Sequence, residues 1–560
     1  MSGSSAYSAG FRELTPRRFV GRRAPGRPAR GLALILDQPL YSTFLLASGL
    51  QNAGKLSVVE DRHGRGLEAE VATMELPLAA DHVAYIRTQE IVNPDDTVGF
   101  VPDALVVADP AQASPASAGG AGLKDTALGK AIDLAHGRMP SERPTLKKSS
   151  RPAIDETEEP YVHMDFGNPD LRLLALFRLW NVIDLFYPYR DLLDAPWRSV
   201  LTRYIPRMES GHTRLDYERT LLELSAELHD SHVGVFPTPA LFESLGGAAL
   251  PPVSLRIVEG KAVVVQTRGA QSGLAAGAVI ETIDGEPFQQ RLDRFRPLVS
   301  ESTPQGYFRP ASRLFLYALA GPQDSIVRFG VRDSHGLHEV PLKRSESYHR
   351  VELRDSPAVQ RLTPTVGYID VTRIEAGRLD SAVDELLDTS ALIIDMRGYP
   401  RDDATGIGRR LGDLSGDIHY AQDRLPMVAG NDPPELVDYQ QQFEADARHP
   451  YHGRRLVLIN EDAFSQSEQI SMMLEAGSKR TTFIGSPTTG ANGNVTQMSL
   501  PGGYQMTFTG MSVRHADGRP LQRVGIQPAV HVAPTIRGIR SGHDEILDAA
   551  LKLVRGGRGR

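Results

Sequence analysis

Cysteine is absent from all 560 residues, and the absence closes off several kinds of chemistry at once. A thiol nucleophile, a cysteine-ligated zinc site and a disulfide framework are excluded, while the compartment is left open. Long apolar runs are missing too. None reaches the ~18 residues of a membrane-spanning helix, and the opening MSGSSAYSAGFRELTPRRF lacks the apolar core of a signal peptide, so neither a span nor an export signal is read. Charge of one sign is scarce: 62 basic against 69 acidic residues leave −7, too slight to imply a nucleic-acid partner. The basic cluster between Arg12 and Arg30 makes at most a weak local patch. The metal pattern H-E-x-x-H is also lacking. What remains is a chain long enough for roughly three or four domains, each with its own core.

The chain is organised around residues 456–493, LVLINEDAFSQSEQISMMLEAGSKRTTFIGSPTTGANG. Leu456–Ile459 has the length and β-branched content of a buried parallel strand. Ile470, Met472, Met473 and Leu474 then fall at helical spacing up to Gly477, expected at the position just past the helix, and Thr482-Phe483-Ile484 begins the next strand. This is a βαβ unit. Ser465 stands where strand gives way to helix, so its hydroxyl is placed near unpaired helix N–H groups at the carboxyl edge of the sheet, where an oxyanion can be stabilised. The same residues, Ser465-Gln466-Ser467-Glu468, also read as a capping box in which Ser465 only starts the helix. On this stretch alone both readings stand.

The beginning of the chain reads as a worn copy of its end. Ala33–Asp37 matches Leu456–Asn460, YSTFLLASGLQNAGK parallels FSQSEQISMMLEAGSK with Ser42 opposite Ser465, and VGFVPDALV answers VGIQPAVHV. GLKDTALGKAIDLA answers SGHDEILDAALKLV in the same way. Residues 1–135 are therefore expected to be the carboxyl-terminal half of an α/β module, degenerate because Leu45 replaces the counterpart of Glu468 and no base precedes it. A true start further upstream would explain an opening in mid-module. Residues 108–121 are a small-residue, Pro/Gly/Ser-rich loop, and 136–164 read as a polar linker.

From Asp170 the pattern turns helical, with Leu173, Leu176, Phe177, Trp180, Ile183 and Phe186 on one broad face until Pro188. A second helix is expected from Asp216 to Leu228. It delivers His229-Asp230-Ser231-His232, followed by the strand-like Val233–Phe236. A histidine is suited to proton transfer at neutral pH. It is equally a terminal histidine favoured by the helix dipole or, paired with His229, part of a metal site. Residues 247–345 read as a separate β-rich domain with strands at 253–257 and 262–265, a short helix and strand within 272–280, and a turn at Asp284-Gly285. The segment SGLAAGAVIETIDG resembles a PDZ domain, which implies a groove for an extended peptide, although a spacer domain reads the same way. Thr365–Val371 is a strand, Leu379–Leu387 a helix, and Ala391–Met396 a buried strand ending in a polar turn.

Taken in order, the D-S-H helical domain, the PDZ-like domain, IIDMRG, LVLIN-x4-S-x-S-E, G-x-x-T-x-G, L-P-x-G, G-I-x-P and G-x-D-x-x-L-x-x-A resemble the tail-specific, C-terminal processing serine proteases over about residues 165–560. The resemblance implies an α/β fold: a crotonase-like ββα core at 346–560, a helical domain at 165–246, a PDZ-like domain at 247–345, and the degenerate half-copy of the core at the N-terminus. It also implies cleavage of unfolded or carboxyl-terminal polypeptide segments with no cofactor and no metal.

The lysine-base branch of that family is excluded for Ser465, because Ala491 follows Thr489-Gly490 and no lysine occurs between Lys479 and Lys552. The histidine-base branch, to which tricorn protease belongs, is matched by Ser231-His232. By resemblance Ser465 is the nucleophile, His232 its general base, Ser231 an auxiliary hydroxyl, and Gln522 the group that orients the base. Gln466 and Arg401 supply oxyanion-hole N–H groups. Gln522 stands where the branch has glutamate, which forgoes about 1–2 kcal/mol of charged hydrogen bonding, and Arg401-Asp402 replaces Gly-Gly in the oxyanion turn. These departures suit the rival reading, a pseudoprotease or binding protein on the same core, such as the retinoid-binding proteins that reuse similar modules. Asn494-Val495-Thr496 matches a glycosylation sequon and is given no function. Substrate, oligomeric state and compartment are left open, the family being often extracytoplasmic.

Overall fold

Strand and helix signals that alternate along a chain build layered α/β units when each apolar face finds a partner. The computed structural model describes residues 31–36, 47–51, 53–62, 73–79, 82–87, 97, 100–107 and 126–138 in the N-terminal part, and 159–556 beyond it apart from 237, 269–272, 310–311, 346–353, 355, 376, 401–403, 415–416, 428–434 and 446–449. Contacts divide the chain into one unit at 14–156 and another that holds 157–560.

In the first unit β1 (Ala33–Leu36) pairs in parallel with β2 (Ser57–Arg62), and residues 47–51 between them are helical. A hairpin of β3 (Thr73–Ala79) and β4 (His82–Arg87) follows, and β5 (Ala104–Val107) then joins β2 in parallel. Helix α1 (Ala127–Ala135), capped by Thr126, packs Ala127 and Ala131 with Val59 and Ala104. Ser42, the 108–121 loop and most of the 136–164 linker lie outside the described residues.

The second unit opens with α2 (Pro169–Phe186), started by the Asn168 cap and proline at its first position. Next comes α3 (Arg198–Ser210), a helix with Pro206 inside it that the sequence pattern does not reveal. Helix α4 (Arg214–Ala226) begins two residues before the expected Asp216, because Thr213 and Asp216 close a capping box there. After the His229–His232 turn come β6 (Gly234–Phe236) and α5 (Thr238–Ser244). The β-rich segment follows with β7 (Val253–Val258), β8 (Lys261–Thr267), β9 (Val279–Ile283), β10 (Glu286–Pro287), α6 (Phe288–Phe295), α7 (Arg313–Leu319), β11 (Ile326–Asp333) and β12 (Gly336–Lys343). Its sheet runs β12-β11-β9-β8-β7, all antiparallel. The short helix expected within 272–280 is a correction: the described residues 273–278 are a loop and a turn at Gly277, whose φ of 82° no right-handed helix accommodates.

The last part supplies β13 (Val359–Thr363), β14 (Val366–Asp370), α8 (Leu379–Asp384), β15 (Ala391–Asp395), α9 (Gly406–Leu411), the long hairpin β16 (Asp417–Met427) and β17 (Glu435–Glu444), and β18 (Arg454–Ile459). Helix α10 (Gln466–Gly477) leads to β19 (Thr481–Gly485) and to the hairpin β20 (Val495–Leu500) and β21 (Tyr504–Thr509). Then come β22 (Ser512–His515), β23 (Val530–His531), α11 (Ile536–Ser541) and α12 (Glu545–Gly556). Gly477, expected just past the helix, is its last residue, with Ser478 as the cap. A Cβ at Gly477 would lie 3.1 Å from the Phe443 ring, so close packing selects this glycine and not a left-handed turn.

The central sheet is β13-β14-β15-β18-β19-β23, parallel from β14 onward. Period-two alternation splits its side chains between two cores. Leu392, Ile394, Val457 and Ile459 face Ile470, Met473 and Leu474 of α10, while Ala391, Ile393, Leu456 and Leu458 face Ile546, Ala550 and Val554 of α12. A third core runs from Leu176 of α2 through Val264 and Phe329 of the β-rich segment to Met506 and Phe508 of β21, so these three stretches of sequence share one apolar interior. The order strand, helix, strand, hairpin, strand, helix of the first unit recurs at 454–556, where β22 and α11 are additional. Leu458 is fully buried in the middle of the sheet. Leu458→Ala is expected to lower the unfolding free energy by about 3 kcal/mol, measured by denaturant titration.

Candidate active site

Strand β18 ends at Ile459, and five residues later the chain must turn into α10, bringing Ser465 to the carboxyl edge of the sheet. Ser465 sits at φ 55° and ψ −111°. A side chain with a Cβ enters that region only under strain, whereas an ordinary capping serine sits comfortably in the extended region. The strain is held by a buried carboxylate. Glu468 Oε2 accepts the Ser465 N–H at 3.2 Å and the Ala491 N–H at 2.9 Å, and Oε1 accepts the Gly490 N–H at 2.7 Å and the Thr488 hydroxyl. The Ser465 N–H also reaches the Ala491 carbonyl at 2.9 Å. Burial pushes Glu468 up to about 7, against the pull of these four donors.

The base candidate arrives from the other end of the second unit. Strand β6 pairs with β21, so Gly234 lies opposite Thr507 and the preceding His232 comes beside Thr509. His232 Nδ1 and Thr509 Oγ1 are 2.7 Å apart. With the Nδ1 proton donated to that hydroxyl, Nε2 is a bare acceptor, and it is buried with no hydrogen-bond partner among the described residues. The fully buried Asp230 accepts the His232 N–H at 3.0 Å and the Thr509 N–H at 3.1 Å, and lies 4.0 Å from Nδ1. Burial holds the imidazole below its ordinary value, with the Asp230 charge opposing and Arg309 adding to the depression. His229 turns elsewhere, onto Asp194 at 3.0 Å, so the two histidines do not meet over a common ion. Among the described residues no group of three or more histidine, aspartate and glutamate side chains could hold a metal ion.

Phe464 joins the two halves. Its ring centroid is 5.0 Å from that of His232 and 5.9 Å from that of Tyr399, and the Arg309 guanidinium lies 4.9 Å over its face. His232 is thereby packed against the neighbour of Ser465. Ser231 is tied to the 300–305 loop: its hydroxyl donates to Glu301, itself paired with Arg309, at 2.6 Å and accepts the Ser302 N–H at 3.0 Å. Thr303 and Gln305 of the same loop bond the Thr489 and Thr488 carbonyls at 2.7 and 2.9 Å. Gln522 donates to Ser302 at 3.3 Å, and its buried Oε1 has no hydrogen-bond partner among the described residues, so the imidazole is oriented by Thr509 and not by this amide. Gln466 is the first residue of α10, and Ser467 ties that helix to the Gly398 carbonyl at 2.5 Å in the turn after β15. Arg401 lies outside the described residues.

Asp230, Thr509 and the 300–305 loop are not singled out by the sequence reading. Asp230 was in view inside the D-S-H motif, but nothing local marks Thr509, since its pairing with His232 is made across 277 residues.

Residues 365–532 match the model of peptidase family S41. That segment is similar to the peptidase family S41 core. Mature CPAF shares the fold at a TM-score of 0.54 and 15% identity, covering 70% of this chain and 99% of that one. A CPAF mutant gives 0.55 at 15% identity over 69% and 97%. A curated protein of Chlamydia pneumoniae is 28% identical over 144 residues, 25% of this chain. This chain spans about a fifth of that relative's length, the match covering 21% of it. No described helix of the chain is long and apolar enough to cross a membrane.

Glu468→Gln puts amide hydrogens against donors that now meet only acceptor oxygens. The variant is expected to lose about 1–3 kcal/mol of stability, read as a lowered melting temperature at pH 8.

Proposed function

We propose that the chain is a serine endopeptidase of the histidine-base branch that cleaves unfolded or carboxyl-terminal polypeptide segments, with Ser465 as nucleophile and His232 as base. The observation that carries the proposal is the backbone of Ser465, held at φ 55° by a buried carboxylate in the segment that matches the family. A helix cap has no need of that strain, whereas a sharp strand-to-helix turn that lifts a hydroxyl out of the sheet edge serves nucleophilic attack.

In this reading His232 Nε2 takes the Ser465 proton as Oγ attacks the peptide carbonyl, and the same proton passes to the leaving amine. Water, deprotonated by Nε2, then opens the acyl-enzyme and regenerates the serine. Thr509 fixes the tautomer, and Asp230 supplies the negative charge that Gln522 cannot, so the imidazolium is supported despite the missing glutamate. Ser231 acts as a positioning residue, since its hydroxyl is committed to Glu301 and Ser302. The oxyanion is received by the Gln466 N–H at the head of α10 and an N–H of the turn that follows β15. The β-rich segment is read as PDZ-like, the core as crotonase-like, and the first unit as a degenerate half-copy with a structural role. The rival reading, a binding protein on the same core, is favoured by Gln522, which stands in the place of a glutamate and makes no bond to the imidazole.

Ser465→Ala and His232→Ala are each expected to lower cleavage of an unfolded protein by about 10⁴-fold or more with chelator present and the fold retained. A serine-directed phosphonate should add one adduct at Ser465 in the wild type, measured by mass spectrometry. Mature CPAF is seen complexed with lactacystin, which makes that compound a second probe here. Equal cleavage by Ser465→Ala, or an inert wild type without adduct, returns the chain to the binding reading.

Acid dependence follows from Glu468. Its ionised form accepts all four donors, and this form is present above its raised value of about 7 and lost as pH falls through it. His232, held below its ordinary value, is still neutral there. The acidic limb of kcat is therefore expected near pH 7 in the wild type and is expected to be abolished in Glu468→Gln, whose residual turnover reads it.

A further inference from the structure

Behind Gln522 the second unit encloses a cavity of about 310 Å³ between the loop that follows α2, the β16–β17 hairpin and β22. Its size is at the small end of ligand pockets, about 300–1,000 Å³, room for one or two residues of an extended chain. The cavity borders the candidate active site on two sides. Gln522 is hydrogen-bonded to Ser302, which holds Ser231, and the next residue, Arg523, donates its backbone N–H to the Gly490 carbonyl at 2.9 Å in the turn that Glu468 organises. On the other side Ser512 stands three residues after Thr509, the partner of His232.

The lining has an uneven charge. Arg190 is paired with Asp184 and Arg424 with Asp438, carboxylates that do not line the cavity. Arg514 is half-buried, and its side chain makes no hydrogen bond or ion pair among the described residues. The one carboxylate of the lining, Asp191, is exposed to solvent and is not ion-paired with it. A second unsatisfied group is deeper: Gln522 is 3% exposed and its Oε1 accepts no hydrogen bond among the described residues. Buried acceptors of this kind are rare in folded proteins and gain most from a ligand donor. At the mouth Leu192 and Leu436 are 36% and 43% exposed, an apolar rim unusual beside so many arginines.

We propose that this cavity is a substrate subsite that receives a carboxylate-bearing residue of the peptide, with the carboxylate on Arg514, a peptide N–H on the Gln522 Oε1, and the aliphatic part of the residue on Leu192 and Leu436. A guanidinium with no ion-pair partner among the described residues matches a carboxylate in a two-bond fork, which a neutral amide cannot reproduce with the same strength. The carboxylate is that of an acidic side chain or of the chain terminus. The assignment rests on the endopeptidase reading for its biological meaning, but its test does not require turnover.

The Ser465→Ala chain would be titrated by fluorescence anisotropy with four labelled decapeptides that differ in one residue, Glu or Gln, and in a free or amidated carboxyl end. At least one carboxylate-bearing peptide is expected to bind about tenfold tighter than the amidated Gln peptide, with the difference shrinking at high salt. Comparing the amidated Glu peptide with the free-acid Gln peptide identifies which carboxylate is read. The discrimination is expected to vanish in Arg514→Gln and to survive in part in Arg514→Lys, which also controls for folding. Equal binding of all four peptides, or discrimination that persists in Arg514→Gln, overturns the subsite. Discrimination in a chain whose wild type cleaves nothing keeps the subsite and removes the protease, and cleavage without discrimination does the reverse.

Discussion

The candidate active site of this molecule depends on one buried carboxylate. Glu468 receives donors from Ser465, Thr488, Gly490 and Ala491, and so ties the first turn of α10 to the turn that follows β19. A carboxylate has acceptor capacity for about four hydrogen bonds and offers none to donate, which suits it to a place where only N–H and hydroxyl groups converge. Its position in the first turn of a helix adds the favourable end of the helix dipole, partly offsetting the cost of burial. Without such an anchor the backbone of Ser465 would relax toward the extended region typical of a cap. The Ser465 reading as a cap and as a nucleophile therefore need not compete: the carboxylate half of the capping box holds the strained turn.

The second dependence is long-range. His232 and Ser465 are 233 positions apart, yet their neighbourhoods meet because β6 adds to the edge of the β20–β21 hairpin. That addition is stabilised by the apolar interior in which Leu176, Val264, Phe329, Met506 and Phe508 all take part. Arg256 of β7 extends the same theme with charge, pairing with both Glu461 and Asp462 in the loop just before Ser465. The β-rich segment thus touches the strand-to-helix loop directly. The β-rich segment and the loop that precedes Ser465 share a salt-bridged contact, buried enough that its loss would be felt at both ends.

The βαβ unit was legible because its pattern is local. Leu456–Ile459, the helical spacing of Ile470 to Leu474 and the strand around Phe483 each carry their own signal within a dozen residues, and Ser465 fell at their junction. The D-S-H turn was legible as well, since a helix, a polar tetrapeptide and an apolar strand follow one another without a break. What failed did so for identifiable reasons. Helix α3 was hidden by Pro206, which sits in its interior, and the expected helix before β9 was in fact a glycine turn. Gln522 was assigned to the imidazole by position along the chain, but its amide reaches Ser302, and Thr509 occupies the place at Nδ1.

By itself, then, the sequence determined which side chains are available and where the chain changes from strand to helix, because those depend on periodicity and on turn residues within a few positions. It placed a serine at the head of α10 and a histidine after α4. Only the tertiary structure decided which polar groups those two would meet: Thr509 and Asp230 at the imidazole, and Glu468 with the turn at 488–491 under the serine. Hydrogen-bond partners far apart in the chain are selected by how sheets and helices pack, and no local pattern carries that information.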